Sequence, residues 1–359
     1  METIRIDKFG SATSRLRLPA ALRVETAAHI PAAGDVVVVK ALSESVTYGN
    51  LELPSGRLAK INRGDVIAGV FGKRRALKGF VGDIPGNVKA GDKLHLLNMG
   101  GLIGQCKGHH SSYSDAIQVE VLGIAIDEND NALNIGTDAL EPSASLLPSV
   151  PIIVVAGSSM HSGKTVAACE IIKQANHAGL NVAGAKMSGV AALRDTYNML
   201  DHGASNVASF LDCGLPSTVD IEDLAPVAKA ILNHLNGFEP DVIVVELGDG
   251  ILGGYSVDTI LKNEEIRNAI ASLVFCTSDY VGVVGGRAVL KALGLDIDVV
   301  AGSVTDAKMG EDYVRDQLGI LAANAHRNGE QLFFLCYGTT PRSPSFIPPS
   351  PNAEVGIAI

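Results

Sequence analysis

The sequence predicts an α/β fold, a mostly parallel sheet covered on both faces, preceded by a small all-β unit built as a barrel or sandwich. Three observations carry this. Residues 31–125 are written in short valine- and isoleucine-rich phrases split by Gly-Asp turns, with no ten-residue helical periodicity between them. Residues 126–150 lose that pattern and gather Asp, Asn, Ser and Pro. From Pro151 onward, near-continuous apolar runs alternate with amphipathic segments, the grammar of strands buried on both faces.

Residues 1–30 carry no sustained apolar run and are expected to be an N-terminal arm. In the β unit, "AGDVVVVKAL", "RGDVIAGVFG", "AGDKLHLLN" and "AIQVEVLGIAID" read as strands, three of them opening on Gly-Asp. Glycine takes positive φ cheaply and aspartate bonds its own backbone, so the pair punctuates a turn. An antiparallel barrel or sandwich is the economical arrangement. Residues 126–150 are expected to be a linker. Over 151–340, "PIIVVAG" predicts a buried strand and "KTVAACEIIKQANHAG" a helix stopped by Gly179. Strands are then expected at "NVAGAKMSG", "DVIVVELGDG", "ASLVFCTS", "DIDVVAGSVT" and "EQLFFLCYG". Helices are expected at "DLAPVAKAILNHLNG", "GRAVLKALG" and "GEDYVRDQLGILAANAH". The proline-rich 341–359 reads as an extended tail.

Composition excludes several classes. A formal charge of −10 argues against broad binding to nucleic acid or an anionic membrane. Five scattered cysteines with no C-x-x-C read as reduced thiols, which points to a cytoplasmic location. The first residues lack the apolar core of a secretory signal, and no apolar run approaches the roughly 20 residues that span a bilayer.

The chemistry concentrates at "GSSMHSGKTV", residues 157–166, between the first strand and first helix of the α/β part. A phosphate-binding loop needs a buried strand, a turn of small residues whose N–H groups face inward, and a helix starting at Lys-Thr. All three are present. The loop Gly157, Ser158, Ser159, Met160, His161, Ser162 and Gly163, with Lys164, Thr165 and Val166, is therefore read as a nucleotide cradle. Lys164 would neutralise β- and γ-phosphate charge, and Thr165 would ligate Mg²⁺. The first glycine stands one residue earlier than in the usual G-x-x-x-x-G-K-[ST]. His161 reads as an exposed loop residue, with donation to a phosphate or carboxylate as the alternative.

That longer spacing resembles dethiobiotin synthetase and its relatives among P-loop NTPases. The likeness covers about residues 151–310 through matched motifs rather than continuous identity. Their lysine followed by Ser/Thr-Gly has its counterpart in "GAKMSG", which makes Lys186 the implied partner of the acceptor's charge, although Met187 replaces their proline. "ALRDTYN" offers Asp195 and "VVELGDGILGG" offers Glu246 as implied Mg²⁺ partners beside Thr165. A carboxylate ending a buried strand is costly unless paired or metal-bound, which favours that role for Glu246. Asp249 is a further candidate catalytic group with Lys164 and Lys186, or simply makes its turn. A second P-loop family with the same loop spacing includes D-glutamate N-acetyltransferases.

The resemblance implies an ATP- and Mg²⁺-dependent enzyme, of ligase or kinase type, that activates a small anionic metabolite by phosphoryl transfer. The alternatives are an N-acyltransferase using acetyl-CoA and a nucleotide-switched assembly protein. No guanine signature appears, which favours ATP over GTP, and a homodimer is expected. Two other clusters read as structural: "QCKGHH" (105–110) as a surface turn, since a closed zinc site wants four ligands, and "GKRRALKG" (72–79) as a solvated hairpin edge, with contact to an anionic substrate or a neighbouring subunit as the alternative.

Overall fold

The structure, a computed structural model, describes residues 1–338; the tail expected over 341–359 lies outside the described residues. The chain opens with strands β1 (Glu2–Arg5), β2 (Lys8–Phe9) and β3 (Ala21–Glu25), with a 3-10 turn at Ser11–Leu16. Next come β4 (Val36–Ala41), the hairpin β5 (Asn50–Glu52) and β6 (Leu58–Lys60), β7 (Val66–Phe71) and β8 (Arg74–Arg75). Strands β9 (Phe80–Asp83), β10 (Lys93–Asn98), β11 (Leu102–His109) and β12 (Gln118–Ile126) complete the unit. All but β5 and β6 join one ten-stranded sheet. Its pairings return on themselves, from β4 to β7, β11, β10, β12 and back to β4.

This closure explains the "VVVV" of β4. Alternate side chains of a strand point to opposite faces, and here both faces are covered. Val37 and Val39 pack inside the unit with Ile67, Phe71 and Ile103. Val36 and Val38 join a larger cluster that continues into Ile152, Met187 and Ala191 of the α/β part. One apolar core therefore runs through both units.

Two expectations are corrected here. Residues 1–30 are not an arm: β1 pairs with β3, β3 with β12, and β2 with β7. These strands are short and half-exposed at the margin of the sheet, so they lack the apolar run that marks a strand in sequence. The sheet is also mixed rather than purely antiparallel, because β2–β7 and β7–β11 are parallel. Residues 127–150 carry no helix or strand, though Ile135 is fully buried against the β unit.

The α/β part opens with β13 (Ile152–Gly157), α1 (Lys164–His177), β14 (Val182–Ser188), α2 (Arg194–Asp201) and β15 (Asn206–Ser209). It continues with α3 (Ala225–Asn236), β16 (Val242–Leu247), α4 (Val257–Lys262), α5 (Glu264–Ala269) and β17 (Ile270–Cys276). The last elements are α6 (Tyr280–Ala292), β18 (Val299–Ala301), α7 (Lys308–Leu318), β19 (Leu321–Ala322) and α8 (Gly329–Tyr337). The sheet order is β15-β14-β16-β13-β17-β18-β19, parallel throughout. Ile153 and Val155 of β13 meet α1 and α8 on one face, and Ile152 and Val154 meet the residues of α3, α4 and α6 on the other. No helix among the described residues is long and apolar enough to cross a membrane.

The segment "EQLFFLCYG", expected as a strand, is the helix α8. The Asn328 side chain accepts from the Gln331 N–H and caps it, and Leu332, Phe333, Cys336 and Tyr337 are buried. That spacing is a helical stripe, which a short unbroken apolar run conceals. The last strand is Leu321–Ala322 instead, inside the stretch expected to continue α7. Gly319, with φ 65°, ends that helix in the left-handed conformation glycine allows.

Candidate phosphate-binding site

The loop leaves the central strand β13 at Gly157 and enters α1 at Lys164. A Cβ on Gly157 would lie 2.6 Å from the Cys276 carbonyl oxygen and 3.1 Å from Lys164 Cδ, so only glycine fits where the loop passes β17. Gly163 has φ 100°, and a Cβ there would stand 2.8 Å from Gly302 Cα. His161 within the loop takes the left-handed conformation, φ 63°. The longer spacing is therefore a continuous connection from β13 to α1. His161 is exposed.

Lys164 is 5% exposed, and its ammonium donates to the Ser159 carbonyl at 2.8 Å and to Ser162 Oγ at 3.4 Å. Burial, and then the Lys186 charge, pull its pKa below the usual lysine value. The Thr165 hydroxyl donates to Glu246 Oε1 at 2.9 Å. Strand register makes the next contact, since Lys186 on β14 stands opposite Glu246 on β16. Lys186 Nζ lies 2.6 Å from Glu246 Oε1 and 2.8 Å from Asp195 Oδ2, at the start of α2. Burial alone would lower the Lys186 pKa, but Asp195 and Glu246 together raise it, so the ammonium stays charged. The same lysine holds the Asp195 carboxyl below its ordinary range. Asp249 follows β16 with φ 65°, and burial raises its carboxyl against the opposing pull of Lys164.

These groups face a cavity of about 510 Å³, within the range of small-molecule sites. Lys164, Thr165, Lys186, Asp195, Glu246 and Asp249 all line it, as do Met160, His161, Gly163 and Val166. Ser158 and Ser159 line a neighbouring cleft of about 610 Å³, whose wall is shared through Asp249. Gly157 and Ser162 lie on neither surface, and Ser162 is buried behind the lysine.

A divalent cation fits part of this donor set. Among the described residues the buried Glu246 Oε2 has no hydrogen-bond partner, and Thr165 adds a hydroxyl beside the same carboxylate. These are hard oxygen donors, and Mg²⁺ takes few ligands from protein when phosphates supply the rest. Among the described residues no group of three or more His, Cys, Asp or Glu forms a cage of its own. Asp195 stands next to this set, held by Lys186.

The β unit supplies a wall that the sequence reading missed. Tyr48, Arg74, Asn98 and Met99 line the same cavity. The basic stretch 72–79 was a signal: it is a hairpin at the edge of its sheet, with Leu77 and Lys78 exposed at the turn, but Arg74 departs from a solvated edge. Arg74 is 4% exposed, Lys73 pairs with Asp220 at 3.0 Å, and the Arg75 N–H donates to Tyr255 Oη at 3.1 Å. Asn98 Nδ2 donates to the Ala191 carbonyl at 3.0 Å, fastening the two units beside the opening. Nothing in the sequence marked Tyr48, Asn98 or Met99. The 105–110 stretch is not the expected surface turn but mostly the end of β11, paired with β9; there His109 meets Asp115 at 3.1 Å and His110 meets Ser112 at 2.7 Å.

No family model matches the chain, and no curated protein does. Among solved structures it is similar to chloroplast FtsY from Physcomitrella patens, at 15% identity and TM-score 0.36, over 52% of this chain and 62% of that one. The signal recognition particle 54 kDa protein from Aeropyrum pernix K1, in complex with GDP, aligns at 16% identity and TM-score 0.36, over 54% of this chain and 46% of that one. A DUF1611 family protein from Anabaena variabilis aligns at 14% identity and TM-score 0.39, over 56% and 64%. The chain thus spans less than two thirds of the length of each of these three. Nothing in these likenesses bears out the dethiobiotin synthetase family in particular. The central position of β13, its glycine-bounded loop and the helix opening on Lys164-Thr165 are features of the chain itself, and they are those of a P-loop fold.

Proposed function

We propose that the α/β part binds ATP with Mg²⁺ and transfers its γ-phosphoryl group to a small anionic acceptor. One observation carries the reading: Lys164, Thr165, Lys186 and Glu246, from three separate elements, converge on a single cavity where one Glu246 oxygen is left unpartnered. The loop N–H groups and Lys164 would take the phosphates, and Glu246 with Thr165 would hold Mg²⁺. When bound, that ion supplies charge neutralisation at the phosphates. Lys186, kept charged by its two carboxylates, would orient the acceptor's negative group.

For a carboxylate acceptor, an oxygen attacks the γ-phosphorus as the bond to the β,γ-bridging oxygen breaks. The products are an acyl phosphate and ADP, and no proton moves. Positioning and electrostatics carry such a transfer, which matches a site rich in fixed charges. Asp249 stands between the two openings, where it could take a proton from an amine that later attacks the acyl phosphate.

The test is a melting-temperature panel with Mg²⁺ and ATP, GTP or acetyl-CoA, on wild type and Lys164→Ala. ATP should raise the melting temperature of wild type, and the substitution should remove most of that rise. No shift with ATP or GTP overturns the proposal. A shift with acetyl-CoA alone would replace it by acyl transfer.

A further inference from the structure

Arg74 is buried, yet its guanidinium donates only to neutral oxygens among the described residues, the Leu97 carbonyl and the Tyr48 hydroxyl. Among the same residues its Nε has no hydrogen-bond partner. A guanidinium carries five N–H donors, so three are unassigned. The cation lies 4.9 Å from the Tyr48 ring centroid and 6.0 Å from that of Phe80. Such faces attract a cation but compensate only part of the desolvation of a buried charge.

The neighbouring cations differ. Lys186 is matched by Glu246 and Asp195, and Lys164 belongs to the phosphate loop. Lys73 and Arg75, on either side of Arg74 in the chain, both pair with Asp220 on the outside of the same turn. Arg74 alone of that turn lines the cavity.

We infer that Arg74 recognises a carboxylate at the end of the acceptor remote from the reacting group. The cavity then has two anion-binding ends, phosphates at the loop and a carboxylate at the β unit, with Asn98 and Tyr48 beside the second. The acceptor class is a small dicarboxylate, and the β unit is the specificity element of the site. The planar fork of arginine suits a carboxylate better than a lysine point charge would. The inference rests on the proposed phosphoryl transfer for its loop end, whereas the carboxylate end stands on Arg74 itself.

Calorimetric titration tests it, with succinate and glutarate as probes and their monoamides as controls, on wild type, Arg74→Met, Arg74→Lys and Lys164→Ala. Wild type should bind at least one dicarboxylate more tightly than its monoamide. Arg74→Met should weaken that binding about 10- to 100-fold, the effect of losing charge-assisted hydrogen bonds. Arg74→Lys should fall between, and ATP binding should be unchanged in both. If Arg74→Met does not fold, Arg74→Lys decides the matter by the same criterion. No dicarboxylate binding to wild type, or binding indifferent to Arg74, overturns the inference. Arg74-dependent dicarboxylate binding in a protein that ignores ATP would overturn phosphoryl transfer and leave Arg74's role standing. Lys164→Ala should separate the ends, losing ATP and keeping the dicarboxylate.

Discussion

Replacing Lys186 by methionine keeps most of the side-chain volume and removes the one cation between two carboxylates. Glu246, with a side chain 2% exposed, would keep only the Thr165 hydroxyl at 2.9 Å. Asp195, at 32%, can regain water. The loss therefore falls on Glu246, and breaking a buried pair from one side costs about 3–5 kcal/mol. We take the low end, about 3 kcal/mol, because Asp195 rehydrates. For an α/β part of this size that is about 6–12 °C in melting temperature. The pH dependence has a definite sign. In wild type the lowered Asp195 pKa contributes stability present above about pH 4 and lost as pH falls through its folded value. The raised Lys186 pKa contributes stability present below about pH 10 and lost as pH rises through its folded value. Between those limits the wild-type contribution is level. In Lys186→Met the penalty should be largest at neutral pH and shrink on acidification, as Asp195, freed from the lysine that lowers its pKa, protonates. Urea unfolding followed by circular dichroism at about pH 3 and about pH 7 measures this, and Glu246→Gln in the same chain should restore part of the loss. A loss under about 1 kcal/mol, the range of an exposed pair, or a loss equal at both pH values, would refute the reasoning.

Further outcomes follow from the same geometry. Gly163→Ala should destabilise by about 1–3 kcal/mol and abolish the ATP-induced shift, because it strains a left-handed residue against Gly302; thermal melts with and without ATP read both. Asp249→Asn should raise stability at pH 8 while impairing turnover, since burial raises that carboxyl and disfavours its charged form. Asparagine also tolerates φ 65°. The gain should shrink as pH falls, because wild type recovers stability when Asp249 protonates; melts across pH 4–8 would reveal a gain of the wrong slope. Native thiols should react with a disulfide reagent at Cys106 first. Burial pushes Cys169, Cys213 and Cys276 up to about 12 and raises Cys336 as well, so those four should be slow until the protein unfolds, as labelling and peptide mapping would record.

Much of the site was legible because it is local. A buried strand, a small-residue turn and Gly-Lys-Thr at a helix start lie within about 20 contiguous residues, and backbone conformation alone builds the cradle. Glu246 was also legible, since a carboxylate closing "DVIVV" stands where a buried strand cannot leave it without a partner. Lys186 and Asp195 were drawn from motif resemblance, and only strand register brought the lysine between both acids. The helix α8 was misread because a short apolar run fits a buried strand and a buried helix alike. The N-terminal strands were missed because marginal, half-exposed strands carry little hydrophobic pattern.

The sequence by itself determined the order of units, the long glycine-bounded loop and the acidic residue closing the strand "DVIVV", since each depends on neighbours along the chain. Tertiary structure alone decided that Arg74 is a buried cavity wall rather than a solvated edge, and that Tyr48, Asn98 and Met99 stand beside it. Those positions follow from how the β unit docks on the parallel sheet. Docking joins residues 93 and 180 positions apart in the chain, through packing and hydrogen bonds that leave no periodicity in the sequence.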